Sequence, residues 1–143
     1  MHWAEQYIGR PWVSGARGPL AFDCWGLLYW VYRHHYGIEL PEFVGIDAND
    51  HLAVLRVMRE QAKEHNAGKS WGTWQRAASP GDGDAVAMAH ADSFSHVGLW
   101  LCLPEGGFAL HCAAGSGVAL TSLQQLSQLG FSNIQFYHHA AHC

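Results

Sequence analysis

The chain has 143 residues, 49% apolar and only 14% charged, and carries a net charge of −4 with its 11 histidines neutral. That is one domain over 1–143 with ample core material, and the absence of a basic block argues against nucleic acid as a partner. No apolar run approaches the roughly 20 residues that a membrane span requires.

The N-terminal run Met1-His2-Trp3-Ala4-Glu5-Gln6-Tyr7 lacks the basic and apolar regions of a signal peptide, so the chain as given is expected to be made in the cytoplasm. Trp3–Ile8 reads as a short opening helix that breaks at Gly9. From Gly9 to Pro19, three glycines and two prolines predict a loop. A largely buried helix is predicted over 23–36. Asp23 is its N-cap, because a carboxylate accepts the free amides of the first turn, and Gly37 is its C′ residue. This places Cys24 in the first turn, where amides and the helix dipole favour a thiolate, the reactive form of cysteine. Ile38–Pro41 is a short extended piece.

A second amphipathic helix is predicted over 50–66, with Leu52, Leu55, Val57, Met58 and Ala62 on its apolar side. Residues 69–83 read as mostly irregular. From there the pattern turns extended: Ala85–Met88, His96–Leu103, Phe108–Cys112 and Val118–Leu120 are predicted strands, with a turn at Pro104–Gly107. Thr121–Leu129 suggests a short helix and Asn133–His138 a last strand. Helices first and a mainly antiparallel sheet after them make an α+β layout. The four cysteines, Cys24, Cys102, Cys112 and Cys143, show no CxxC spacing and are expected to be reduced. His138, His139 and His142 read as a solvated tail.

A cysteine nucleophile needs a base within hydrogen-bond reach and a third group to hold that base. His96 opens an apolar strand, and His111 ends another before the turn Gly115-Ser116-Gly117. Adjacent antiparallel strands can put both imidazoles on one sheet face beside a helix start. Spacing alone leaves open two isolated strand-end histidines, or a zinc site made of Cys24, His96 and His111 with one open position.

Three segments resemble the NlpC-type cell-wall peptidases, a papain-like cysteine hydrolase family: Gly9-Arg10-Pro11-Trp12, Phe22-Asp23-Cys24-Trp25-Gly26-Leu27 and Gly37-Ile38-Glu39-Leu40-Pro41. Gly83-Asp84-Ala85-Val86 and His96-Val97-Gly98-Leu99-Trp100-Leu101 continue the likeness in the family's order. The resemblance implies a papain-like α+β fold with Cys24 as nucleophile, His96 as base and His111 as its orienting partner. It implies hydrolysis of peptidoglycan stem peptides between D-Glu and a diamino acid, without metal or cofactor. Substrate and oxyanion contacts are expected from Trp12, Asp23 and Trp25, with the Cys24 amide and Trp12 Nε1 as donors. Trp12 stands where the family has Tyr, and an indole donates one hydrogen bond but accepts none. Trp25 replaces a Ser and is expected to add bulk near the site. The F-D-C-W-G variant resembles the phage-tail and prophage branch, with phage-tail proteins as partners. The alternative on the same fold is a non-catalytic tail or wall-binding module whose groove is blocked by Trp12 and Trp25.

Overall fold

The computed structural model describes residues 2–40, 74–90 and 93–142. The predicted helix 50–66, Pro41 and Cys143 lie outside them. A 3-10 turn, Trp3–Tyr7, opens the chain. Helix α1 covers Cys24–Val31, shorter than the predicted 23–36. It then widens into a π-type segment, Tyr32–Tyr36, which Gly37 ends in the left-handed conformation at φ 69°.

Six strands follow: β1 (Trp74–Ala77), β2 (Ala85–His90), β3 (Ser93–Leu103), β4 (Gly106–Ala113), β5 (Gly117–Ser122) and β6 (Asn133–His139), with helix α2 (Leu123–Gln128) before the last. They form one sheet in the order β1-β6-β2-β3-β4-β5, antiparallel at every described pairing. The layout is α+β, as expected.

Alternation along the strands divides the interior. Ala85, Ala87, Val97, Leu99, Leu101, Leu110 and Cys112 face α1 and pack with Trp25, Leu27, Leu28 and Val31. Val86, Met88, Trp100 and Ala109 face the other way and pack under Leu126 of α2. Tyr32 Oη donates to the Gly83 carbonyl at 2.5 Å and ties the end of the helix to the start of β2.

Three readings are corrected. Residues 74–77, expected to be irregular, form β1. Gln75 and Arg76 give the segment no apolar alternation; its order comes from pairing with β6 and from Trp74, which is fully buried against Tyr32 and His139. The terminal histidines are not a solvated tail. His138 and His139 end β6, His138 Nδ1 lies 2.8 Å from Asp84 Oδ1, and His139 is buried. Thr121 belongs to β5, and α2 begins after Ser122, whose hydroxyl and the Gln125 side chain form a reciprocal capping box.

Candidate active site

The site starts from Asp23, which is fully buried and organises the loop before α1. Its Oδ1 caps the helix by accepting from the Gly26 amide at 2.6 Å and pairs with Arg17 at 2.9 Å; its Oδ2 accepts from the Gly15 amide at 3.0 Å. The Asp23 amide donates to the Ala16 carbonyl. That carbonyl and Asp23 Oδ1 together fill the space where a Cβ on residue 26 would stand, so only glycine fits. The motif glycine and the aspartate are therefore one device that locks the loop onto the first turn of α1.

Cys24 follows as the first residue of α1. Strands β3 and β4 pair from Leu103↔Gly106 back to Gly98↔His111 and then part, while β4 stays with β5 through Ala113↔Gly117. The 22–24 turn wedges into that opening. On one side the Cys112 thiol donates to the Phe22 carbonyl at 3.3 Å. On the other, the Val97 amide donates to the Cys24 sulphur, as does the Trp25 amide. The helix start thus meets the sheet at a gap, at the residue next to the first of two imidazoles on the opposite sheet face.

His96 and His111 are those imidazoles. His96 pairs with Met88 and His111 with Gly98, which puts both on the α2-facing side. His96 Nε2 and His111 Nδ1 are 2.9 Å apart, and His111 Nε2 is 2.8 Å from Thr121 Oγ1. All three residues are buried. Burial pushes His111 down to about 4, so its ring is neutral at pH 7 and holds one proton. When His96 is an imidazolium, its Nε2–H donates to His111 Nδ1, and the single His111 proton sits on Nε2 and donates to Thr121. Gly98 makes this possible, because a Cβ there would press on the His111 Cβ and the Leu110 carbonyl.

The thiol departs from the expectation of a thiolate. Burial, then the Asp23 carboxylate, push Cys24 up to about 12, against the opposing pull of the Val97 and Trp25 amides. In a residue only 1% exposed, the thiolate loses more by leaving water than two amides return. At neutral pH the resting residue is a thiol.

The remaining expected contacts separate. Trp12 is half-buried, bridges to Phe22 and lines a shallow cleft of about 280 Å³ with Pro11 and the Gly115–Gly117 turn. Asp23 and Trp25 do not present side chains to a groove. Asp23 serves Arg17, Gly15 and Gly26, and the Trp25 indole lies in the α1 core at 2% exposure, so the bulk expected over the site is inside. Thr121 was missed because it sits where an edge strand runs into a helix, and nothing in its neighbourhood marks it. Among the described residues, no three His, Cys, Asp or Glu are arranged to hold a metal ion.

Comparison with known proteins bears on the family and the fold. The NlpC/P60 family model matches residues 9–131. Among curated relatives, the "Probable endopeptidase p60" of Listeria grayi is 25% identical over 120 residues, covering 84% of this chain and 18% of the relative. The protein of the same name from Listeria innocua serovar 6a is 26% identical over 98 residues, covering 68% and 16%. This chain therefore spans less than a fifth of the length of the curated relatives it matches. Among solved structures, the NlpC/p60 domain of the peptidoglycan hydrolase SagA superposes with a TM-score of 0.56 at 22% identity, over 93% of this chain and 91% of that one. A lipoprotein-like NLP/P60 protein of Staphylococcus aureus subsp. aureus Mu50 gives 0.50 at 24%, over 92% and 38%. At these identities the likeness shows the fold, an α+β papain-like domain.

Proposed function

Because the chain belongs to the NlpC/P60 family, whose members are cysteine hydrolases, we propose that it cleaves an amide bond in peptidoglycan stem peptides, between D-Glu and a diamino acid. In this reading Cys24 attacks the carbonyl carbon as His96 Nδ1 takes the thiol proton, since Nε2 is engaged by His111. His111, neutral and backed by Thr121, holds the His96 ring and accepts the Nε2–H of the imidazolium. The Cys24 amide and Trp12 Nε1 stabilise the oxyanion. His96 returns the proton to the leaving amine, the C–N bond breaks, and an acyl-enzyme remains. Water, deprotonated by the same imidazole, then releases the acid and restores the thiol. These steps use protein groups alone.

The observation that carries the reading is the hydrogen-bonded line Thr121–His111–His96, ending one residue from the strand amide that holds the Cys24 sulphur. A buried line of this kind, with one group from each of β3, β4 and β5, can orient a base. Digestion of purified peptidoglycan tests it, with mass analysis of the released peptides. Wild type should free peptides that begin with the new amine of the diamino acid and leave the new D-Glu carboxyl on the glycan-bound stem, and Cys24→Ala should free none. Equal release by both, or none from wild type, would overturn the proposal. The F-D-C-W-G variant extends the proposal to a protein delivered in a phage or prophage tail; failure to co-purify with tail particles would remove that extension.

A further inference from the structure

Helix α2 ends in a Schellman motif. The Gly130 amide donates to the Ser127 carbonyl at 3.0 Å, the Phe131 amide donates to the Leu126 carbonyl at 3.1 Å, and Gly130 is left-handed at φ 98°. Phe131 is the residue just past that turn. It packs against the α2-side core that holds Leu126, and the next amide, Ser132, donates to the Ala89 carbonyl of β2 at 3.0 Å. The backbone on both sides of Phe131 is thus anchored.

The anchored ring lies parallel to His96, with an interplanar angle of 9° and centroids 5.9 Å apart. Its other neighbour is His90, at 22° and 4.6 Å, whose Nδ1 donates to the Gly130 carbonyl at 2.8 Å. Three rings from β2, the α2–β6 turn and β3 form one stack. His111 meets the His96 ring edge-on, at 75°.

We propose that Phe131 is a positioning residue for the base: it fixes the plane of the His96 ring and favours its protonated form through the ring face. The inference rests on the hydrolase reading above. The hydrogen bond at Nε2 fixes one point of the imidazole, and the parallel aromatic face adds a restraint on the plane of the ring. An aromatic face also attracts a cation, and a buried imidazolium has little water to do so. Among the described residues, His111, which meets the His96 ring at Nε2, is neutral, and His90 lies beyond Phe131.

Two measurements on wild type, Phe131→Leu and Phe131→Tyr test this, with thermal melts to show that each is folded. The first is NMR titration of the His96 Hε1 resonance, assigned by its loss in His96→Gln. Phe131→Leu should lower the His96 midpoint by about half a unit or more, and Phe131→Tyr should keep it. The second is kinetics on peptidoglycan fragments. Phe131→Leu should lower kcat about tenfold with KM within about twofold, and Phe131→Tyr should stay near wild type. A wild-type midpoint in Phe131→Leu, or a Phe131→Tyr as impaired as Phe131→Leu, would overturn the proposal. If wild type were inert on peptidoglycan, the hydrolase reading would fall, while the titration would still judge the role of Phe131.

Discussion

Thr121 Oγ1 lies 2.8 Å from His111 Nε2, on the side of the ring away from His96. Without that acceptor the single His111 proton is free to move to Nδ1, where it would confront the Nε2–H of His96. Thr121→Val should therefore lower kcat about tenfold at nearly constant KM, in line with about 1–3 kcal/mol for a buried N–H left unpaired. Thr121→Ser should retain most of the rate. Initial rates on one peptidoglycan fragment decide between this and a purely structural threonine, for which both variants would behave alike.

His96→Ala should cost more activity than His111→Ala. The first removes the group that carries the proton, and the second removes only its partner, so part of the function survives. The reverse order, in rates measured side by side, would exchange the two roles.

The resting thiol sets a pH dependence for chemical labelling. Because burial and Asp23 push Cys24 up to about 12, its iodoacetamide reaction should be slow at pH 6–7 and still be rising, without a plateau, at pH 10, where an ordinary thiol has levelled off. Mass-spectrometric titration of modified Cys24 from pH 4 to 10 checks this. Fast labelling at pH 6 would mean a preformed ion pair with His96.

Acid should unfold the protein through two histidines. His111 and His139 are both lowered from 6.5 to about 4, chiefly by burial, and for His139 also by His138 and His142. The unfolded chain protonates these rings below pH 6.5 and the folded chain does not, so their contribution is present above pH 6.5 and is lost as pH falls through about 4. Each is worth on the order of 3 kcal/mol at most. Urea midpoints should fall steadily between pH 7 and pH 4; a flat profile would contradict the neutral assignment.

Asp23→Ala should be the most damaging change near the site that leaves the proposed nucleophile and base in place. It removes the helix cap, strands Arg17 and leaves the Gly15 amide without its acceptor. A loss of about 2–4 kcal/mol is expected, read as a shift in urea midpoint, together with loss of activity.

The start of α1 was legible because its chemistry is local: Asp23, Cys24 and Gly26 act within one turn. The strands 85–88, 96–103 and 108–112 were legible from apolar content, although the sheet lengthens each at its ends, where cross-strand hydrogen bonds rather than side chains keep the backbone extended. β1 was not legible, since Gln75 and Arg76 owe their order to β6. Within the site, spacing allowed His96 and His111 to share one face without requiring it. It carried no sign that β3 and β4 part beyond Gly98↔His111, the opening that admits the helix start. Thr121 and Phe131 depend on where α2 begins and ends, and element ends are set by capping contacts that a periodicity does not carry.

Strand β5 closes one side of the sheet, yet its first residues are not bare. Val118 gives its amide to the Arg10 carbonyl and its carbonyl to the Gly9 amide, both at 2.9 Å, and Gly117 packs directly on Arg10. The loop that carries Trp12 is thus a guard against self-association as well as a wall of the cleft. An exposed strand edge templates pairing with other chains. Cutting the chain back past Arg10 should therefore yield assemblies joined edge to edge through β5, even where the rest of the domain stays folded.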